Sequence, residues 1–367
     1  MSERWPGELK VYWSESYFPA LDGLRAICIL LVMFNHVHER VPAGMQGRVG
    51  VDIFFVLSGF LITTLLLRER ERYGNISLKA FYTRRFFRIV PVYALVVAMY
   101  AGLLFHSPNV PRWVQFKRGL PYLVTFTQEF RPASTAYALG HAWSLGIEEK
   151  FYLALPLLVL ALFPFRKLSL GVMVLLGVEI LFLPPLFSRS YGALLCGTFL
   201  GMLLAKSSVV GIAAGLKSLR AVYALLLVAA AYIGMVRYRW PVLVFSASIT
   251  VLIGVLALRK SLVRVAFEQR WMILAGKRSY VMYLIHVLVI NFVEPIAVRM
   301  GVARWYFVIP VAYGLSFLGA TLLFYALERP CIAFGRKLAR GMRERLTKTL
   351  DGGAALAVEV QAIQDPL

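Results

Sequence analysis

Arg25 and His36 stand eleven residues apart in the apolar run PALDGLRAICILLVMFNHVHER. On an α-helix, eleven steps return to within about 20° of the start and advance ~16 Å, so both side chains share one face. Ionisable groups inside a bilayer are costly and mark cavities or partners. A neutral imidazole takes a proton from a hydroxyl near neutral pH, which makes His36 the candidate general base. Arg25, nearer the cytoplasmic end, suits an anionic group of a donor. The competing readings are a histidine bonded to a backbone carbonyl and an arginine snorkelling to the interface. His38 lies on another face, near the end of the run, and reads as interfacial.

Further polar residues recur in the apolar stretches. In GRVGVDIFFVLSGFLITTLLL, Asp52 sits near the outer edge, where a carboxylate stays hydrated and can meet a substrate. Ser58-Gly59 reads as a close-packing site, with no local base to activate the serine. In FYTRRFFRIVP, Arg84, Arg85 and Arg88 stand just before a span, and guanidinium forks match phosphate oxygens. The competing reading is ordinary positive-inside anchoring. In HAWSLGIEEKFYLALPLL, Glu148 and Glu149 open an apolar helix; one can cap it, or Glu148 can orient a histidine base or a hydroxyl. Lys150 can neutralise Glu149. His141 and Trp143 precede that helix, and Trp143 is either an interface anchor or a platform for a sugar ring. In SYVMYLIHVLVINF, Tyr283 and His286 are helical neighbours, suited to lining the same cavity or to bonding between helices.

The elements that must position these residues are membrane helices. Of 367 residues 59% are hydrophobic and only 16% charged, against about 25% charged in soluble domains, and the mean hydropathy is +0.70. Apolar runs long enough to cross a core about 30 Å thick fall at 19–38, 49–67, 89–106, 146–165, 169–187, 191–205, 221–236, 241–258, 279–298 and 305–327. The sixth is short and reads as little tilted or re-entrant. Gly197-xxx-Gly201 within it signals close helix packing. The aromatic, amphipathic stretch 112–128 reads as interfacial. Fold class is thus all-α: a polytopic membrane helix bundle of about ten transmembrane helices.

The net charge of +21 is spread over short segments between spans. Lys and Arg number 27 in the segments on the side of the N-terminus and 11 opposite, so both termini are predicted cytoplasmic. That distribution argues against a nucleic-acid partner, which needs a basic face on a soluble fold. Cys28, Cys196 and Cys331 form no CxxC pair, and no metal site or disulfide framework is expected. The N-terminus shows no cleavable signal. Expected divisions are a cytoplasmic segment at 1–18, a transmembrane domain at 19–330, and a basic amphipathic helix with a disordered tail at 331–367.

Taken in order, LDGLRAICILLVMFNH, GVDIFFVLSGFLIT (50–63), YTRRFFRIVPVY (82–93), HAWSLGIEEKFYLALP (141–156), SYVMYLIH (279–286) and LERP (327–330) resemble the acyltransferase-3 family of integral membrane O-acyltransferases. The resemblance implies transfer of an acyl group, commonly acetyl, from acyl-CoA as co-substrate to a hydroxyl of a carbohydrate, glycolipid or related acceptor. It carries the family's first-helix histidine onto His36, its paired arginine onto Arg25, and the acidic residue of its WSLxxE motif onto Glu148. The basic run of the donor side falls on Arg84, Arg85 and Arg88. Lys150 departs from the family's usual glutamine. The expected setting is the lipid bilayer of a bacterial cytoplasmic membrane. Should a second transfer step be needed, a separate partner protein is expected to perform it. Direct transfer is expected, because no activated Ser or Cys is evident. The alternative class is a polytopic transporter or flippase, although the repeated halves of many transporters are not seen.

Overall fold

The computed structural model describes residues 12, 13, 15, 17–37, 47–132, 139–162, 183–205, 220–238, 241–258 and 261–343. Regular structure among them is entirely helical. In chain order the helices are α1 (Pro19–Phe34), α2 (Arg48–Tyr73), α3 (Leu78–Phe105), α4 (Val110–Val124), α5 (Trp143–Leu162), α6 (Pro185–Leu203), α7 (Ala221–Tyr238), α8 (Val242–Leu258), α9 (Leu262–Phe267), α10 (Arg270–Arg299) and α11 (Trp305–Leu323). Five are long and apolar enough to cross a membrane: α2, α3, α7, α10, and α11 with its extension to Arg343. The predicted span at 169–187 lies mostly outside the described residues.

Local chemistry sets the helix ends. Pro19 opens α1 and Pro185 opens α6, each where a missing N–H costs nothing. Gly74, at φ 74°, closes α2, and its N–H reaches the Arg70 carbonyl at 2.7 Å. Ser77 then caps α3 by accepting from the Ala80 N–H at 3.3 Å. Asn109 caps α4 in the same way. Helix α4 covers most of the stretch read as interfacial and buries only Phe116, Gly119 and Leu123.

Several helices outrun the apolar runs that announced them. Helix α3 begins at Leu78, so Arg84, Arg85 and Arg88 lie within it, not ahead of it. A run of hydropathy marks what touches hydrocarbon; hydrogen bonding carries the helix further into the polar zone. Helix α6 has 19 residues, about 29 Å, longer than the run at 191–205 because it begins at Pro185. Helix α11 passes through a π-turn at Phe324–Glu328 and continues to Arg343, 39 residues or about 58 Å in all. Residues 331–343 therefore prolong the last span, where a separate surface helix was expected. Arg343 bonds Glu69, as Arg84 does at 2.7 Å, so one carboxylate on α2 ties together α3 and the extension of α11.

Helix α2 is the axis of the bundle. Its apolar window is 78% buried, against 28% in α3, α7 and the α11 span, whose remaining faces are left to lipid. It packs chiefly on α6 and α1, while α10 packs on α1 and α11. The α2–α6 crossing is close because glycines meet: a Cβ on Gly59 would overlap the Leu194 carbonyl, and one on Gly197 the Val56 carbonyl. The Ser58-Gly59 and Gly197-xxx-Gly201 readings meet here, with Gly201 against Thr63.

Candidate active site

Helix α1 stops at Phe34, and His36 lies in the turn beyond it, its N–H bonded to the Met33 carbonyl at 3.0 Å. Its ring joins two others. His286 Nε2 is 3.2 Å from His36 Nδ1, and the His141 ring lies 5.9 Å from His36 and 4.9 Å from His286 between centroids. His286 is fully buried, with Nδ1 2.6 Å from the Tyr283 carbonyl.

These contacts fix the tautomers. A carbonyl only accepts, so Nδ1 of His286 carries a proton, and Nε2 of the neutral ring is an acceptor. His36 Nδ1 must then be the donor to it. The same nitrogen lies 3.0 Å from the Val32 carbonyl, which also requires its proton. Nε2 is left as the lone pair of the His36 ring. The backbone-carbonyl reading of this histidine is seen directly, and the bond leaves its other nitrogen as an acceptor.

His36 lines a cavity of about 230 Å³ with Asn35, Gly47, Arg48, Val51, His141, Trp143 and Tyr283 among its walls. His141 is buried, and its Nε2 has no hydrogen-bond partner among the described residues. Burial first and the neighbouring His36 second push its imidazole down to about 3, so this ring is neutral. Tyr283 bridges across the cavity wall, its hydroxyl placed against Ser144 Oγ at 2.7 Å and the His141 carbonyl.

A second cavity, of about 100 Å³, shares Val51 and Tyr283 with the first. Arg25, Arg85, Arg88 and Lys277 line it, with Glu148, Ser58 and Tyr152. Arg25 is held by Asp22 at 2.8 Å. Arg85 lies over the Tyr152 ring at 4.7 Å, and neither Arg85 nor Arg88 forms an ion pair among the described residues. Lys277 stacks over Tyr17 at 5.0 Å. Glu148 accepts from the hydroxyls of Ser58 and Tyr152, which also bond each other at 3.0 Å.

The predicted site residues thus divide between two chambers. Arg25 lies on α1 and His36 in the turn after it, and they line different cavities, where one shared chamber along one helix face was expected. Trp143 and His36 belong to the first; Arg25, Arg85, Arg88 and Glu148 to the second; Tyr283 to both. The partner on His36 Nδ1 is His286, not Glu148. Glu148 stands a turn and a half inside α5, which starts at Trp143, so it does not cap that helix. Arg84 is taken by Glu69 and lines neither cavity. Asp52 is 2% exposed and bound by both nitrogens of an Arg189 fork, so it is no hydrated substrate ligand. Lys150 turns from Glu149 to Glu129, at 2.6 Å, because the carbonyls of Phe126 and Gly146 complete its ammonium shell there. Ser58 has an acidic neighbour in Glu148, ninety residues away in the chain, which no local pattern announced. His38 lies outside the described residues.

Sequence reasoning missed Lys277, Tyr152 and the orphaned nitrogen of His141. Tyr152 follows Glu148 by four residues, a spacing that puts them on one helix face. Lys277 gave no signal apart from the positive-inside count.

An all-helical membrane protein with a histidine chamber set against a cationic one is the class that fold and site define. The family model Acyl_transf_3, an acyltransferase domain, matches residues 18–329, and the chain belongs to that family. It is 32% identical over 190 residues to the peptidoglycan O-acetyltransferase OatA of Listeria monocytogenes, covering 47% of this chain and 30% of that one. It is 27% identical over 368 residues to the O-acetyltransferase OatA of Staphylococcus aureus, covering 88% of this chain and 58% of that one. The chain spans between 26% and 58% of the length of these and other curated relatives it matches. No solved structure matches it.

Proposed function

We propose that the chain is a multi-pass protein of a bacterial cytoplasmic membrane that transfers an acyl group, acetyl in the first instance, from acyl-CoA to a hydroxyl of a carbohydrate or glycolipid. The observation that carries this reading is the tautomer of His36, which leaves Nε2 basic beside a cavity that meets a cationic one at Val51 and Tyr283. The acetyltransferase names of the relatives support the choice of acetyl.

In this reading the CoA phosphates meet the unpaired guanidinium groups of Arg85 and Arg88, with Lys277 adding charge. Arg25, restrained by Asp22, flanks the thioester arm. Glu148 acts on the donor side: it holds the Tyr152 hydroxyl, and the Tyr152 ring supports Arg85. The acceptor hydroxyl lies in the His36 cavity, against Trp143. His36 Nε2 takes its proton as the oxygen bonds to the thioester carbonyl carbon. The C–S bond then breaks, and the thiolate leaves with the proton from the imidazolium. His36 ends neutral, and no acyl-enzyme is needed. The proposal includes ten spans with both termini cytoplasmic, a cytoplasmic segment at 1–18, and a last helix that runs on past the membrane to Arg343.

The test is transfer of radiolabelled acetyl from acetyl-CoA to a glycoside by purified protein in lipid nanodiscs. His36→Ala is expected to lower the rate by about 10²–10⁴-fold at unchanged membrane abundance. Undiminished transfer by that variant would refute the assignment.

A further inference from the structure

The wall of the His36 cavity carries a charge that the proposed chemistry does not use. Arg48 is the first residue of α2, and its guanidinium lies over the Trp143 ring at 5.6 Å. It makes no ion pair or side-chain hydrogen bond among the described residues. Asp52, one turn along α2 and a charge that Arg48 feels, is already bound by the Arg189 guanidinium through Nε and Nη2. Two guanidinium groups therefore face one carboxylate, and the surplus positive charge is presented at the cavity by Arg48.

Two independent features point the same way. The N-terminus of α2 has no side-chain cap, and its N-cap residue Gly47 lines the cavity, so backbone N–H dipoles add to the positive end. The buried Nε2 of His141, also in the wall, lacks a hydrogen-bond partner that a polar ligand would supply. At about 230 Å³ the cavity is below the ~300 Å³ of ordinary small-molecule pockets, so it admits one sugar ring or a short polar headgroup.

We propose that this cavity selects acceptors carrying an anionic oxygen group, carboxylate or phosphate, close to the hydroxyl to be acylated, with Arg48 as the group that binds the anion. The inference rests on the acyltransferase reading for its hydroxyl and adds the class of acceptor. Trp143 takes the face of the sugar ring while holding Arg48 in place by cation–π contact. A planar fork binds a carboxylate or a phosphate by paired hydrogen bonds, which a neutral glycoside lacks.

The experiment compares octyl glucoside, octyl glucuronide and octyl glucoside 6-phosphate as acceptors for wild type, Arg48→Gln and Arg48→Lys in nanodiscs. Wild type is expected to show KM values about tenfold or more lower for at least one anionic acceptor than for the neutral one. The ratio of neutral to anionic KM should collapse in Arg48→Gln and be partly kept in Arg48→Lys, which retains charge but loses the fork. The two anionic arms separate carboxylate from phosphate recognition. A ratio near one in wild type, or a ratio that Arg48→Gln leaves intact, overturns the proposal; a merely structural role would shift all three KM values together. Should no acceptor be acylated by wild type, the acyltransferase reading fails by itself. Calorimetric binding of octyl glucuronide and octyl glucoside 6-phosphate to the same preparations then decides. Binding lost in Arg48→Gln supports the anion site, and no binding, or binding that Arg48→Gln leaves intact, overturns it.

Discussion

The base in the proposed reaction depends on a neighbour. His286 accepts the Nδ1 proton of His36 only because its own Nδ1 proton is committed to the Tyr283 carbonyl. Removing His286 leaves the Val32 carbonyl as the hydrogen-bond partner of that ring among the described residues. His286→Ala is expected to lower kcat about tenfold or more with little change in the KM for acetyl-CoA, since a wrong tautomer presents no lone pair. His286→Gln, whose amide oxygen can accept the same proton, should keep more activity. Steady-state kinetics with both substrates varied checks this; equal losses in the two variants would mean that His286 only fills space. At this scale the sequence offered residue types and helical neighbours; His36, Glu148 and Tyr283, which it singled out, each line a cavity. It offered no pairing. Arg84 and Arg85 are adjacent in the chain, yet one is bound by Glu69 and the other has no ion pair among the described residues.

Helices α2 and α6 position both chambers, since α2 carries Arg48, Val51 and Ser58 along one length. Their approach depends on Gly59 and Gly197, where backbone meets backbone. Gly197→Leu would force them apart and is expected to destabilise the bundle by about 2 kcal/mol or more. Gly314 on α11 has open space around its Cβ position, and Gly314→Ala should change little. Thermal unfolding in one detergent compares the two; equal midpoints would show that the crossing is not the constraint. The glycine spacing was legible in the sequence, because small residues four apart on an apolar helix have few other uses. The partner helix was not. Helix limits were legible only to the edge of the hydrocarbon zone, so the Arg84–Arg88 segment was read as the flank of a span and residues from 331 as a separate surface helix, where single helices contain them.

The whole molecule keeps its basic residues on one side of the proposed membrane frame, 27 against 11. With ten spans and both termini cytoplasmic, cysteines placed at Asn75 and Arg340 should react with a membrane-impermeant maleimide only after lysis. Those placed at Asn109 and Val302 should react in intact cells. The native Cys28, Cys196 and Cys331 are free thiols and must first be replaced. Labelling of Arg340→Cys from outside would overturn the orientation. The same frame puts the cationic chamber toward the cytoplasm, where acyl-CoA is made, and the His36 chamber toward the opposite face.

What the sequence determined alone was the solvent and the ingredients. Apolar runs of membrane length require helices, because only an internally bonded backbone is tolerated in hydrocarbon. A histidine, arginines and a glutamate inside those runs require polar enclosure. What the tertiary structure decided was which of these groups meet. The His36–His286 contact joins residues 250 positions apart, Ser58 and Glu148 are separated by 90, and Asp52 and Arg189 by 137. Such contacts follow from how helices cross, and local periodicity carries no information about crossing partners. Division of the site into two chambers, the proton on Nδ1, and the free charge of Arg48 all arise from those crossings.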